Sequence, residues 1–281
     1  MREKGFMRKS MRLATALCML GAGVAAHADE ISLDVLLADG FEIAPATVFR
    51  IGSVALRDPH LFSTVVFLCV DSTEVINGEF QQQLDADEDA DGFYDAGALA
   101  VFRPLDASGR PGVLENQAGI CTTESPPQCA PAGDPPIARW YAAFDLSPPT
   151  VCLGALPDTT SGYSPPVPEP GGTCFTTTAV DTTFALGKLS IPLWDTQYAA
   201  PFPATTGSSG GGLLRGFLRE TDADQIVLDI GGQNIALSSL LPDGTGSCAT
   251  NVAHGKDSER GAAGWWMYLE YRLDAVSAGG F

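Results

Sequence analysis

Short apolar and β-branched runs, separated by clusters of Gly, Pro, Asp and Asn, recur along most of the chain, and helical periodicity is scarce. The pattern predicts strands over 31–37, 47–56, 61–70, 79–84, 98–104, 137–144, 174–185, 188–194, 225–230 and 265–273. In 61–70 nearly every position is apolar or β-branched, which predicts a central strand covered on both faces. Asn77-Gly78 lies between Val75-Ile76 and Glu79-Phe80, a type I′ hairpin signal that predicts antiparallel pairing of its neighbours. One helix is expected at 213–220, where Leu213, Leu214, Phe217 and Leu218 recur at i, i+1, i+4 and i+5 behind a Gly-Ser run. A short helix or strand is expected at 235–241. The segments 104–136, 146–172 and 242–263 are rich in Pro and Gly and read as irregular loops. The fold class that follows is all-β, an antiparallel β-sandwich or jelly-roll with one or two short helices.

Residues 265–273 alternate cleanly. Trp265, Met267, Leu269, Tyr271 and Leu273 share one face, which reads as core. Trp266, Tyr268, Glu270 and Arg272 share the other. Packing of Trp266 and Tyr268 under a loop is the preferred reading, and a sugar-stacking ligand face is the alternative. Alternation counted back from Phe281 gives Gly279, Ser277 and Ala275, which is no lipid-facing strand.

The first 28 residues change the compartment. Arg2, Lys4, Arg8, Lys9 and Arg12 precede a short apolar stretch, and Ala26-His27-Ala28 is a small-x-small cleavage box, the anatomy of an export signal. The expected mature chain, 29–281, is a single domain. It carries 11 basic against 33 acidic residues, a charge that repels nucleic-acid backbones and anionic lipid heads, and its composition is not that of a polytopic helical membrane protein, so no stable membrane insertion is expected. Past the signal six cysteines remain, an even number that suits disulfides in an oxidising compartment, periplasmic or extracellular. Six cysteines allow 15 pairings, among which the sequence does not choose; Cys121 with Cys129 and Cys152 with Cys174 are the local pairs, and they would leave Cys69 with Cys248. Among histidines only His60 and His254 remain, without the short paired spacing of a zinc site.

The most specific chemical signal is the segment 85–95, DADEDADGFYD. Asp87, Asp89, Asp91 and Asp95 alternate around Gly92, and so many carboxylates without a basic neighbour repel one another unless a cation sits among them. Calcium suits flexible carboxylate oxygens. The segment resembles the DxDxDG calcium loop of EF-hands, dockerins and thrombospondin type 3 repeats over about a dozen residues. That resemblance implies side-chain ligands at Asp87, Asp89 and Asp91, a carbonyl ligand at Phe93 and a further ligand at Asp95. It departs from an EF-hand at the twelfth position, which is Ala98 rather than Glu, and in flanks read as strands. Glu220, Asp222, Asp224 and Asp229 are a second acidic group without the turn glycine.

Catalytic patterns are weaker. Gly207-Ser208-Ser209-Gly210-Gly211 formally matches GxSxG, with Asp224 or Asp243 and His254 following, but it lies in a Gly-Ser run and not between a strand and a helix. The expectation is an exported, calcium-binding surface, adhesion or ligand-binding protein without catalysis, its ligand carbohydrate or a cell surface. A secreted hydrolase of polysaccharide or ester is the alternative.

Overall fold

The computed structural model describes residues 46–105, 112–132, 140–147, 151–186, 189–201, 209–230, 232–250 and 252–279. The expected signal segment 1–28 and the expected strand 31–37 lie outside them. Strand β1 (Thr47–Asp58) leads into a small hairpin, β2 (Phe62–Val65) and β3 (Leu68–Asp71), and then into helix α1 (Thr73–Asp85). The acidic loop follows, then β4 (Ala98–Arg103), β5 (Gly112–Cys121), β6 (Gln128–Pro131) and β7 (Trp140–Ser147). After a long loop come β8 (Cys174–Thr177), β9 (Val180–Leu186), β10 (Leu189–Pro201) and β11 (Ser209–Arg219). The remaining elements are α2 (Glu220–Ala223), β12 (Val227–Ile230), β13 (Gln233–Ala236), β14 (Asp257–Glu259), β15 (Ala262–Ala275) and β16 (Ser277–Ala278).

Eight strands pair in the order β1, β4, β5, β7, β8, β10, β11, β15, and β15 pairs β1 again. Every one of these pairings is antiparallel. The expected antiparallel β class is therefore present, with its opposed layers joined at both edges into a closed barrel that buries its own hydrogen-bonding edges. Sulfur pairs Cys69–Cys248, Cys121–Cys129 and Cys152–Cys174 form the three disulfides, which belong to an oxidising compartment.

The lumen is filled with apolar side chains. Phe49 meets Phe102 edge-on at 5.9 Å, Phe102 meets Phe175 at 4.8 Å, and Tyr198 meets Tyr271 at 5.7 Å. From β15 the set Trp265, Met267, Leu269, Tyr271 and Leu273 all enter this core, as the alternation predicts. The opposite face of β15 and β11 is buried too, because the loop closed by Cys152–Cys174 lays Leu153, Leu156 and Val167 over Phe217, Trp266 and Tyr268.

That double burial explains a correction. Residues 213–220, expected as a helix, are strand β11 up to Arg219. Leu214 and Leu218 point into the barrel while Leu213 and Phe217 point under the loop, so an i, i+1, i+4, i+5 pattern arises from a strand covered on both sides. Gly216 is required there, since a Cβ would approach the Thr196 hydroxyl to 2.9 Å.

Three further expectations change. The segment 61–70 is the β2–β3 hairpin, not a buried central strand, and its tip is exposed. Asn77-Gly78 makes no turn, and 79–84 is no strand: both lie in α1, which buries Thr73, Ile76, Asn77, Phe80 and Leu84 at helical spacing. Within 104–136, β5 and β6 occupy much of what reads as irregular, β5 in the barrel wall and β6 paired along the end of β5.

Candidate metal centre

Helix α1 ends at Asp85 and the acidic loop runs from it to β4, so one flank is helical where the sequence predicts strands on both sides. Carboxylate oxygens of Asp87, Asp89 and Asp91 lie within 4.8 Å of one another, close enough for one metal ion to touch all three. The loop's own amides orient them. Asp91 N–H donates to Asp87 Oδ1 at 3.0 Å and Gly92 N–H to Asp87 Oδ2 at 3.2 Å, while Phe93 N–H donates to Asp91 Oδ1 at 2.9 Å. Gly92 has φ +85°, the left-handed conformation that lets the chain turn back beneath the three side chains.

Asp95 and Phe93 stand differently. Asp95 Oδ2 accepts the Glu88 amide at 2.9 Å and its own amide donates to Ala86 O at 2.8 Å, so Asp95 clasps the neck of the loop. Phe93 bridges Thr122, and Gly92 O accepts the Thr123 amide at 3.0 Å, which stitches the loop to the end of β5 beside the Cys121–Cys129 disulfide.

Arg50, which no sequence motif singles out, braces this neck from the barrel wall. It is buried, its guanidinium lies 3.8 Å from the centre of the Tyr94 ring, it donates to Leu84 O, and it stands 3.6 Å from Asp85. The available signal was a lone Arg inside the apolar strand VFRIG of an acidic chain. Beside the loop a cleft of about 250 Å³ is lined by Tyr94, Asp95, Asn116, Gln117 and Ile120.

A second cluster gathers both histidines. His60 Nδ1 lies 2.5 Å from Asp71 Oδ2, and Tyr163 stacks on the His60 ring at 3.8 Å. The buried Asp58 accepts the Ser161 amide at 3.0 Å, and Ser161 Oγ in turn accepts the His254 amide at 3.2 Å. Burial pushes the Asp58 carboxyl up to about 6, against the opposing pull of the Ser161 and Gly162 amides and the two histidines. Burial also acts upward on Asp71, but the Thr73 hydroxyl and amide together with His60 hold it below the usual carboxylate range. These bonds pin the loop 151–172 and the 252–257 segment onto the end of β1.

The remaining expected sites are not assembled as ligand or catalytic surfaces. Trp266 and Tyr268 are buried, and the Tyr268 hydroxyl accepts the Leu156 amide at 3.0 Å and pairs with Thr159, so the loop covers the proposed ligand face. Ser209 stands opposite Leu273 within β11 rather than at a strand-to-helix turn. His254 Nε2 lies 2.8 Å from Asp257, not against Asp224 or Asp243. In the second acidic group Asp222 is taken up by Arg219 at 2.6 Å.

No protein-family model, curated protein or solved structure matches the chain. The fold and the site define a disulfide-braced antiparallel β-barrel with an aspartate-rich loop on its wall.

Proposed function

We propose that this is an exported calcium-binding protein of the cell surface or its surroundings, which holds a ligand without transforming it. The observation that carries the reading is the convergence of Asp87, Asp89 and Asp91 over the Gly92 turn. Oxygen-only donors suit calcium better than zinc or copper, which favour nitrogen and sulfur. Phe93 through its carbonyl and Asp95 complete the ligand set in this reading. The three disulfides support export, and the acidic balance argues against nucleic acid as a partner.

The ligand-binding part of the proposal rests on the cleft beside the loop. It shares Asp95 with the loop and is lined by Asn116, the half-buried Tyr94 and the exposed Ile120, a mixture of polar and apolar groups that suits a carbohydrate. Calcium fixes the neck at Asp95 and so the wall of the cleft.

Thermal unfolding of the oxidised protein in EDTA and in millimolar calcium tests the metal. Filling a site about tenfold above its dissociation constant stabilises by roughly 1.4 kcal/mol. An equal midpoint in both solutions overturns the metal reading. A glycan panel read with and without calcium tests the ligand. The competing hydrolase reading is favoured by one feature, the Asp71–His60 pair beside the raised Asp58. Turnover of a polysaccharide or ester panel that Asp58→Asn abolishes would establish it.

A further inference from the structure

The β2–β3 hairpin breaks two physical rules at one place. Val65 pairs with Leu68, so Val66 and Phe67 alone form the two-residue tip, with φ +46° and +70°. Such a turn wants Asn-Gly, because positive φ crowds a Cβ against the backbone, and most of all a β-branched one. The same residues face water: Val65 is 51% exposed, Val66 81%, Phe67 97% and Leu68 68%. Both the backbone conformation and the exposure are unfavourable, and a polar Asn-Gly tip would relieve both.

The hairpin is also held firmly. It pairs only with itself among the described residues, but the Cys69–Cys248 disulfide ties β3 to the loop after β13. At its base the Ser63 and Ser72 hydroxyls bond at 2.6 Å, and Phe62 N–H donates to Leu240 O at 2.7 Å. The apolar tip is thus presented on a fixed stem, which lowers the entropy lost on binding.

Charge selects the occupant. No Lys or Arg occurs between Arg57 and Arg103; at the foot of the hairpin Asp71 bonds His60, and Glu74 stands 3.9 Å from Arg57, which Glu270 also takes at 2.7 Å, so carboxylates outnumber cations there. Asp243 is exposed, and its amide bonds Ala249 O next to Cys248. An anionic membrane and a second copy of this chain would both meet this acidic collar with like charge.

We infer that the Val65–Leu68 tip is a docking knob for a partner protein whose surface is apolar at its centre and basic around the rim. Phe67 is the anchor that enters the apolar centre, and the collar of Asp71, Glu74 and Asp243 meets the rim. This surface is separate from the metal loop, so it does not depend on calcium.

The test compares the wild type with Val66→Asn/Phe67→Gly, whose turn chemistry suits the backbone, so that its Tm should equal or exceed that of the wild type. The probes are a labelled amphipathic peptide with a leucine face flanked by arginines, its twin with glutamates, phosphatidylcholine vesicles, and the protein alone in sedimentation velocity. The expected result is that the arginine peptide binds the wild type about thirtyfold more tightly than the variant, as for an interface anchor. The glutamate twin and the vesicles should not bind, and the protein should sediment as a monomer. Equal binding of the arginine peptide to both proteins, or to neither, overturns the proposal. So does Phe67-dependent binding to the vesicles, which assigns a lipid surface, or Phe67-dependent self-association, which assigns a second copy.

Discussion

The Asn77 carboxamide closes on both backbone groups of Leu56: its Oδ1 accepts the Leu56 amide at 2.8 Å and its Nδ2 donates to the Leu56 carbonyl at 3.1 Å. Just after Leu56 the register of β1 against β15 shifts, between the pairs Leu56–Leu269 and Asp58–Tyr268. Helix α1 thus supplies a side chain in place of a missing strand neighbour. Asn77→Ala leaves a buried donor and acceptor unpaired and should cost about 2 to 4 kcal/mol in urea unfolding. Asn77→Asp keeps the acceptor but loses the donor, and should fall below the wild type as well. Wild-type stability of both variants would show that the contact carries no weight.

What could be read from the sequence, and what could not, follows from how many faces each segment covers. Strand β15 was legible because its two faces differ in composition, and the metal loop because Asp87, Asp89, Asp91 and Gly92 sit within one short stretch. Strand β11 carries a helix-like pattern because Leu213 and Phe217 find cover under a loop that is distant in sequence. The β2–β3 tip misleads in the opposite sense: its apolar residues predict burial and are exposed. Asn77-Gly78 has hairpin chemistry, yet its Asn is spent on Leu56 and its Gly faces open space on the helix. Closure of the barrel depends on β5 meeting β7, a pairing that periodicity does not encode.

Neutralising the acidic loop should change stability in opposite directions with and without metal. In EDTA, Asp89→Asn removes one of three mutually repelling carboxylates and should leave the midpoint equal or slightly higher. In calcium the same change removes a ligand, so the rise of roughly 1.4 kcal/mol expected for the wild type should shrink or vanish. Parallel melting curves in the two solutions check this. A variant that keeps the full calcium response would remove Asp89 from the ligand set.

Arg50 should affect the loop from beneath. Arg50→Met keeps an unbranched apolar stem but loses the charge on Tyr94, the bond to Leu84 O and the pairing with Asp85. Because the loop is then less well ordered before binding, calcium affinity should fall by about tenfold with the ligands themselves intact. Calcium titration by calorimetry reads this directly. An unchanged affinity would make Arg50 a part of the barrel wall alone.

Asp58 gives stability a pH dependence with a definite sign. Its folded value of about 6 lies above the ordinary 3.8, so the folded chain binds this proton more tightly than the unfolded one. The contribution is full below the unfolded value and is lost as pH rises through about 6. Asp58→Asn removes that loss, and should gain on the wild type between about pH 4 and pH 7, reaching about 1 to 2 kcal/mol near pH 8. Urea unfolding of both proteins across this range measures the difference. A difference that stays flat with pH would show that Asp58 titrates over the same range in the folded and the unfolded chain.

The covering loop over β11 and β15 should respond to two separate ties. Its disulfide, Cys152–Cys174, spans 22 residues, and in the chain-entropy account such a bridge stabilises by about 3 kcal/mol. The Tyr268 hydroxyl is the other tie, through the Leu156 amide and the Thr159 hydroxyl, and Arg215 adds a bond to Gly154 O at 2.7 Å. Tyr268→Phe leaves the Leu156 amide without its partner and should cost about 1 to 3 kcal/mol. With the disulfide intact, hydrogen exchange in that variant should quicken across 152–159 while the amides of β15 stay protected. Cys152→Ser/Cys174→Ser should go further, bringing Trp266 toward water and shifting its fluorescence to the red. If the double serine variant leaves that fluorescence unchanged, the hydrogen bonds and the packing of Leu153 and Leu156 suffice to hold the loop, and the disulfide acts on the unfolded chain alone.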